Sequence, residues 1–311
     1  MDINRYTPSY GVNHKHLVSL SDFSTEEIFE FLYATKAMKA KFYAHEDTKI
    51  LQNTTVALLF GDASIRTRSD LEIGVRQLGG SCVDLPYSEE DIRTGENVKD
   101  VVNVISRYGV GAIVTRGVHK ADLNDFCSHS EISIINSTNE QGMPMQTVCD
   151  LFTIWEKKGK LDGVKLAFVG KRTNNAASLI AGAVKCGLEV TVATPAEFAF
   201  DKECLDDARQ FGAVTVTENP VDAVRGADVV YTDGYNYDGA LGEKELKILA
   251  PYQVNNKLMS FAAHNAQFMH ALPACRGLEV TPEVIDGKNS LVLEQGENKL
   301  HAIKSVLALL I

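Results

Sequence analysis

Short apolar runs separated by helix-length stretches recur along almost the whole chain, and this alternation leaves few architectures open. Thr54–Phe60 (TTVALLF) is followed by Ser81–Leu85, Gly111–Thr115 and Ile132–Asn136. A second series begins at Val164–Gly170 (VKLAFVG) and continues through Glu189–Thr194, Ala213–Thr217, Asp228–Thr232 and Gln267–His270. Runs of this length, with room for a helix between them, predict parallel strands joined by crossover helices. The intervening segments carry the helical period. Ser24 and Glu27 form a capping-box pattern ahead of Ile28, Phe29, Phe31 and Leu32. Leu71, Val75 and Leu78 share one face, and Gly79-Gly80 closes that helix.

Two strand series predict an α/β protein of two doubly wound parallel-sheet lobes joined by bridging helices. The boundary falls between residues 142 and 143, giving lobes 1–142 and 143–297. Pro144, Val148, Leu151, Phe152 and Trp155 mark a helix over 144–157 that links them. Residues 298–311, apolar at Leu300, Ile303, Val306, Leu307 and Leu310, form a terminal helix assigned to the first lobe.

Charge narrows the partners. Asp and Glu number 41 against 31 Lys and Arg, a formal net charge of −10. Such a field repels a polyphosphate backbone, so no nucleic acid is expected, yet it leaves room for a small anion in a local basic pocket. The longest apolar runs fall short of the ~20 residues that span a bilayer, and the N-terminus lacks a basic n-region, so no membrane association is expected. The six cysteines include no C-x-x-C pair, which argues against zinc and a disulfide framework and for the cytoplasm.

Several residues at predicted strand ends carry chemistry. After the first strand the chain reads Gly61-Asp62-Ala63-Ser64-Ile65-Arg66-Thr67-Arg68 and enters a helix. Hydroxyls, guanidinium groups and free N–H groups at a helix start together suit a phosphate. Arg116 ends another strand, where ligands of open parallel sheets bind. Gln146 lies in the first turn of the bridging helix. The second lobe opens with Gly170-Lys171-Arg172-Thr173-Asn174-Asn175, whose single glycine cannot make the G-x-G-x-x-G turn of a dinucleotide site. Asp233 closes a strand, where it either binds an ammonium group or caps a turn.

In order and spacing these motifs resemble the aspartate/ornithine carbamoyltransferase family, and its ornithine branch more closely. The markers are Ser64-Ile65-Arg66-Thr67-Arg68, Gln77-Leu78-Gly79-Gly80, Glu96-Asn97-Val98-Lys99-Asp100, Arg116-Gly117, Asn174-Asn175, Tyr231-Thr232-Asp233, His270-x-Leu272-Pro273 and Glu297-Asn298-x-x-His301. The resemblance implies a homotrimer needing no cofactor and no metal. Its first lobe binds carbamoyl phosphate and its second a small amine or amino acid. Ser64, Ile65, Arg66, Thr67, Arg116, Gln146, Leu272 and Lys299 are then the donor-binding set, with Arg66, Thr67, Arg116 and Gln146 catalytic. Asn175, Asp233, Tyr237, Asp238 and Ala271 form the acceptor set.

The chain departs from the family pattern where it matters. The family's H-P-x-Q is Met143-Pro144-Met145-Gln146, its S-M-G loop is Tyr237-Asp238-Gly239, and its H-C-L-P is His270-Ala271-Leu272-Pro273. Lys299 stands where an arginine is common. The reading is a carbamoyltransferase acting on ornithine or a related amine or amino acid. The alternative is a paralogue that is non-catalytic or uses another donor.

Overall fold

The apolar runs become two separate parallel sheets in a computed structural model, which describes residues 1–61, 64–86, 98–236 and 239–311. The first series gives α1 (Thr25–Tyr43), β1 (Thr55–Phe60), α2 (Ile65–Gln77), β2 (Ser81–Pro86), α3 (Val98–Ser106), β3 (Val110–Arg116), α4 (Lys120–His129), β4 (Ser133–Thr138) and α5 (Pro144–Lys158). The second gives β5 (Lys165–Val169), α6 (Asn174–Lys185), β6 (Glu189–Ala193), α7 (Lys202–Arg209), β7 (Val214–Thr217), α8 (Pro220–Val224) and β8 (Val229–Tyr231). It ends with α9 (Glu243–Leu249), α10 (Asn256–Met259), β9 (Gln267–Met269), α11 (Pro282–Ile285) and α12 (Val292–Leu310). The predicted strands are present within a residue or two of their expected ends. The terminal helix begins at Val292, earlier than the expected 298, because the exposed side of Gly296 costs the helix only about 1 kcal/mol relative to alanine.

The chain gathers into two units. One is Tyr6–Phe152 with Asn298–Ile311, and the other is Met1–Arg5 with Thr153–Glu297. The chain passes from one unit to the other three times, after Arg5, inside α5 and inside α12.

In the first unit the strand order is β2-β1-β3-β4, all parallel. Ala57, Leu59, Ile113 and Ile134 from the sheet pack with Val102 of α3 and with Leu123 and Phe126 of α4. Each buried valine, leucine, isoleucine or phenylalanine among these contributes roughly 1.5–3 kcal/mol. Gly111 is needed for closeness: a Cβ there would lie 2.6 Å from Thr54 Cγ2 and 2.8 Å from Ile311 Cγ2. Two carboxylates of α1 organise the segment ahead of it. Glu27 closes the predicted capping box, with Ser24 N donating at 2.9 Å, and also accepts from Asn13 N at 2.9 Å. Glu30, 1% exposed, accepts from Ser9 N, Ser9 Oγ, Tyr10 N and the Tyr6 hydroxyl.

In the second unit the order is β7-β6-β5-β8-β9, again all parallel. Its core joins Ala167, Val169, Val230 and Phe268 of the sheet to Val224, Leu258, Val284 and Ile285 of α8, α10 and α11. Both orders contain a point where successive connections turn opposite ways, between β1 and β3 in one sheet and between β5 and β8 in the other. Crevices beyond the carboxyl ends of the strands open at such points.

Candidate active site

The first switch point gathers most of the predicted donor-binding residues. Register pairs Phe60 with Arg116 and Arg116 with Thr138, so β1, β3 and β4 end level with one another. Gly61 N donates to Arg116 O at 2.8 Å, tying the turn after β1 to the end of β3. Ser64 is the N-cap of α2. Its Oγ accepts from Thr67 N at 3.3 Å and donates to Thr67 Oγ1 at 3.0 Å. Thr67 is buried, and because its oxygen already accepts from Ser64, its own hydrogen is left to donate. Ile65 is 87% exposed and Arg66 exposed, both in the first turn of the helix.

Not every cation of this turn faces a ligand. Arg68 pairs with Asp84 and lies 5.1 Å over the Phe60 ring, so it serves the α2–β2 contact. Lys299 Nζ lies 3.3 Å from Asp70 Oδ2 on α2, both partly buried.

Gln146 and Met143 are positioned by the loop between β4 and α5. Asn139 is its hub: Oδ1 accepts from Asn136 Nδ2 and Gln141 N at 2.9 Å each, and Nδ2 donates to Val118 O at 3.2 Å. Gly117 N donates to Thr138 O at 2.8 Å. The loop after β3 and the start of α5 are thereby fixed together. Gln146 is 3% exposed, its Nε2 donates to Asp150 Oδ1 at 2.8 Å, and its Oε1 has no partner among the described residues. Met143 O accepts from Thr147 N at 3.0 Å, and its thioether is half-buried with no proton to donate.

The second switch point brings together Asn175 and Asp233 of the predicted acceptor residues. Phe168 pairs with Tyr231 and Tyr231 with Met269, so β5, β8 and β9 end together. Gly170 has φ +139°, a conformation that favours glycine, and a Cβ there would lie 3.3 Å from Thr232 Oγ1. Thr173 caps α6 by accepting from Ala176 N at 3.0 Å, and donates to Asp233 Oδ2 at 2.7 Å. Asp233 Oδ1 accepts from Gly234 N at 3.0 Å. Asn175 is 2% exposed, its Nδ2 donates to the Tyr231 hydroxyl at 3.0 Å, and its Oδ1 has no partner among the described residues.

Beneath this lies a buried chain. Gln295 Nε2 donates to the Tyr231 hydroxyl at 3.2 Å, and Gln295 Oε1 accepts from His270 N at 3.0 Å. His270 Nδ1 accepts from Leu272 N at 2.8 Å, and its Nε2 lies 3.4 Å from Glu279 Oε1, both side chains being fully buried. Leu272 is thus held at φ +53°, sparsely populated for a branched residue, with Ala271 half-buried beside it. Tyr237, Asp238, Glu96 and Asn97 lie outside the described residues.

Among these groups the sequence had marked the strand-end and helix-start residues but not Asn139, Asp150, Thr173 or Gln295. Thr173 ahead of a helix is an N-cap pattern, and Asp150 lies one helical turn from Gln146, so both had a usable signal. Asn139 and Gln295 had none.

At each of two switch points three strands end together, one beside hydroxyl and guanidinium groups and one beside amide and carboxylate groups, an arrangement that fits an enzyme of the α/β class. A model of the carbamoyl-P binding domain of aspartate/ornithine carbamoyltransferases matches residues 15–156, and one of their Asp/Orn binding domain matches residues 162–310. The chain belongs to the aspartate/ornithine carbamoyltransferase family. The ornithine carbamoyltransferase of Hyperthermus butylicus is 40% identical over 313 residues, covering 98% of this chain and 98% of the relative. That of Caldicellulosiruptor saccharolyticus is 38% identical over 300 residues, covering 94% and 97%. The solved structure of ornithine carbamoyltransferase from Pyrococcus furiosus superposes with a TM-score of 0.90 at 39% identity, covering 95% and 96%.

Proposed function

We propose that this enzyme moves the carbamoyl group of carbamoyl phosphate onto the amino group of ornithine or a related amino acid. The observation that carries the reading is the switch point holding Ser64, Thr67, Arg116 and the start of α5 within a unit matched by the carbamoyl-P binding domain. Ser64, the first N–H groups of α2 around Ile65, Arg66, Thr67 and Arg116 hold the phosphate, while Lys299, paired with Asp70, adds positive charge only at longer range. Gln146 and the Leu272 carbonyl accept from the carbamoyl amide. Asn175 and Asp233 hold the amino-acid end of the acceptor, with Ala271 bounding it.

The acceptor enters as a neutral amine. Its lone pair forms the new C–N bond, the carbonyl electrons move to oxygen, and a tetrahedral oxyanion results. Collapse re-forms the carbonyl and breaks the bond to the phosphate oxygen, and the amine proton leaves with the phosphate. The chain contributes position and charge stabilisation, through the Thr67 hydroxyl and Arg116 at the oxyanion and the arginines at the leaving group. Met143 removes one donor that the family's H-P-x-Q motif supplies, so carbonyl activation rests on the remaining groups.

We place the enzyme in the cytoplasm as a homotrimer. All six cysteines are free, which suits a reducing compartment. The trimer rests on the family resemblance and is checked by light scattering. No described helix is long and apolar enough to cross a membrane.

Phosphate release from carbamoyl phosphate, measured across a panel of amines and diamino acids, tests the function. Release with ornithine or a close relative is expected, and silence with every amine defeats the reading.

A further inference from the structure

We infer that Asp150 fixes which end of the Gln146 amide faces the donor, and so makes the enzyme discriminate a carbamoyl group from an acyl group of the same shape. The inference rests on the reading of Gln146 as the residue that meets the donor's amide.

Both residues lie one turn apart on α5 within the first unit, Gln146 3% exposed and Asp150 fully buried. An amide side chain has two faces of opposite character, one donating and one accepting, and nothing in its shape prefers either. Asp150 supplies the preference. As a carboxylate it can only accept, and it takes a hydrogen bond from Gln146 Nε2 at 2.8 Å. Turning the amide over would set two acceptors against each other, an arrangement that a buried site disfavours. The NH2 end is therefore committed to Asp150, and Oε1 points the other way.

That Oε1 is buried and has no partner among the described residues. Buried carbonyl oxygens are nearly always paired, so an unpaired one at a ligand-facing helix start marks a place for an incoming N–H. Carbamoyl phosphate carries an NH2 group where acetyl phosphate carries a methyl group of similar size. An accepting oxygen rewards the first and is left buried and unpaired by the second. Asp150 is a positioning residue: it acts through Gln146, and its effect appears in donor choice.

The test uses two non-hydrolysable donors differing only at that group, phosphonoacetamide and acetonylphosphonate, with inorganic phosphate as a third ligand, all titrated by calorimetry. The wild type is expected to prefer the amide by roughly tenfold or more, the scale of one hydrogen bond plus one unsatisfied buried carbonyl. In Asp150→Asn the new side chain can donate or accept, the Gln146 amide is free to turn, and the two phosphonates should bind within roughly threefold of each other. Inorganic phosphate should bind as before, a result that a general loss of structure would not give. In Gln146→Met the preference should already be absent, and adding Asp150→Asn should change nothing further. Asp150→Ser, whose hydroxyl also plays both parts, replaces the asparagine variant if that one does not fold. Undiminished preference in a folded Asp150 variant overturns the inference. A wild type that binds phosphate but treats both phosphonates alike overturns it together with the Gln146 assignment, whereas a wild type that binds none of the three overturns the donor site itself.

Discussion

The two switch points are built by opposite means. Around β1 and β3 the proposed phosphate-binding groups Ser64, Arg66 and Thr67 sit in one short turn, and the side-chain bonds nearby are local: Ser64 to Thr67 in the turn, Gln146 to Asp150 within one helix. Around β5 and β8 the side chains are arranged by partners far along the chain, through Thr173 to Asp233, Asn175 to Tyr231, Tyr231 to Gln295 and Gln295 to His270. A helix start needs little else to hold an anion, because its N–H groups and dipole come with the backbone. An amino acid with an ammonium and a carboxylate needs several polar groups fixed at set spacings, and only a cross-linked network fixes them. Changes in the first unit should therefore act one group at a time. Changes in the second should spread through their partners.

The largest expected effect tests the first half of that contrast. Arg116→Ala should lower kcat/KM by roughly 10²–10³, the cost of one group that stabilises the developing negative charge, without unfolding the protein. A loss of tenfold or less removes Arg116 from the reacting centre. If position 143 faces the carbamoyl carbonyl as proposed, Met143→His places a donor there, and turnover should rise by roughly tenfold or more with little change in phosphate affinity. Unchanged or lower turnover means that the site has been rebuilt around the thioether.

Arg66→Ala should weaken phosphate binding by roughly tenfold or more, one charged hydrogen bond being worth about 1.5–3 kcal/mol. Calorimetry reads it directly, and equal affinities refute the assignment. Thr173→Val probes the network. Without the hydroxyl, Asp233 loses its 2.7 Å donor and α6 its cap. The acceptor KM should rise by roughly fivefold while the donor KM holds, with about 1 kcal/mol lost from stability. A donor KM that moves equally would show that the two halves are not separable in this way.

The remaining effect concerns stability against pH, not turnover. Burial, with Lys304 and Lys39 nearby, pushes the His301 imidazole down from 6.5 to about 3. Between those values the unfolded chain takes up a proton that the folded chain refuses, so this contribution to stability is present above about 6.5 and is lost as pH falls toward 3. His301→Gln should flatten that part of the thermal stability profile. An unchanged slope means that other groups set it.

How much was legible follows from the same contrast. The parallel sheets, the bridging helix and the Ser64–Thr67 turn could be read because each depends on neighbours in sequence. Arg116 and Asp233 could be located at strand ends, because the apolar runs that precede them mark those ends. The network under Asp233 could not be read, since Tyr231 and Gln295 meet only after β8 and α12 have formed. The start of α12 was missed for a smaller reason: a glycine reads as a breaker, and here the helix runs through Gly296. Asn139 gave no sign because an asparagine after a strand looks like any turn residue until its three partners are seen together.

Two carboxylates on the first helix have a consequence of a different kind. Residues 6–14 contain no helix or strand, yet Glu27 and Glu30 grip them through backbone and side-chain hydrogens alike. Burial raises the Glu27 carboxyl, but the hydrogen bonds from Ser24, His14 and Asn13 outweigh it and hold the group down at about 2. The grip is therefore complete above about 4.5 and slackens only as acid approaches 2. This stretch is a strap buckled by charge, with its own acid release and little stake in the sheet behind it. A protease offered the folded protein at neutral pH should find nothing to cut there.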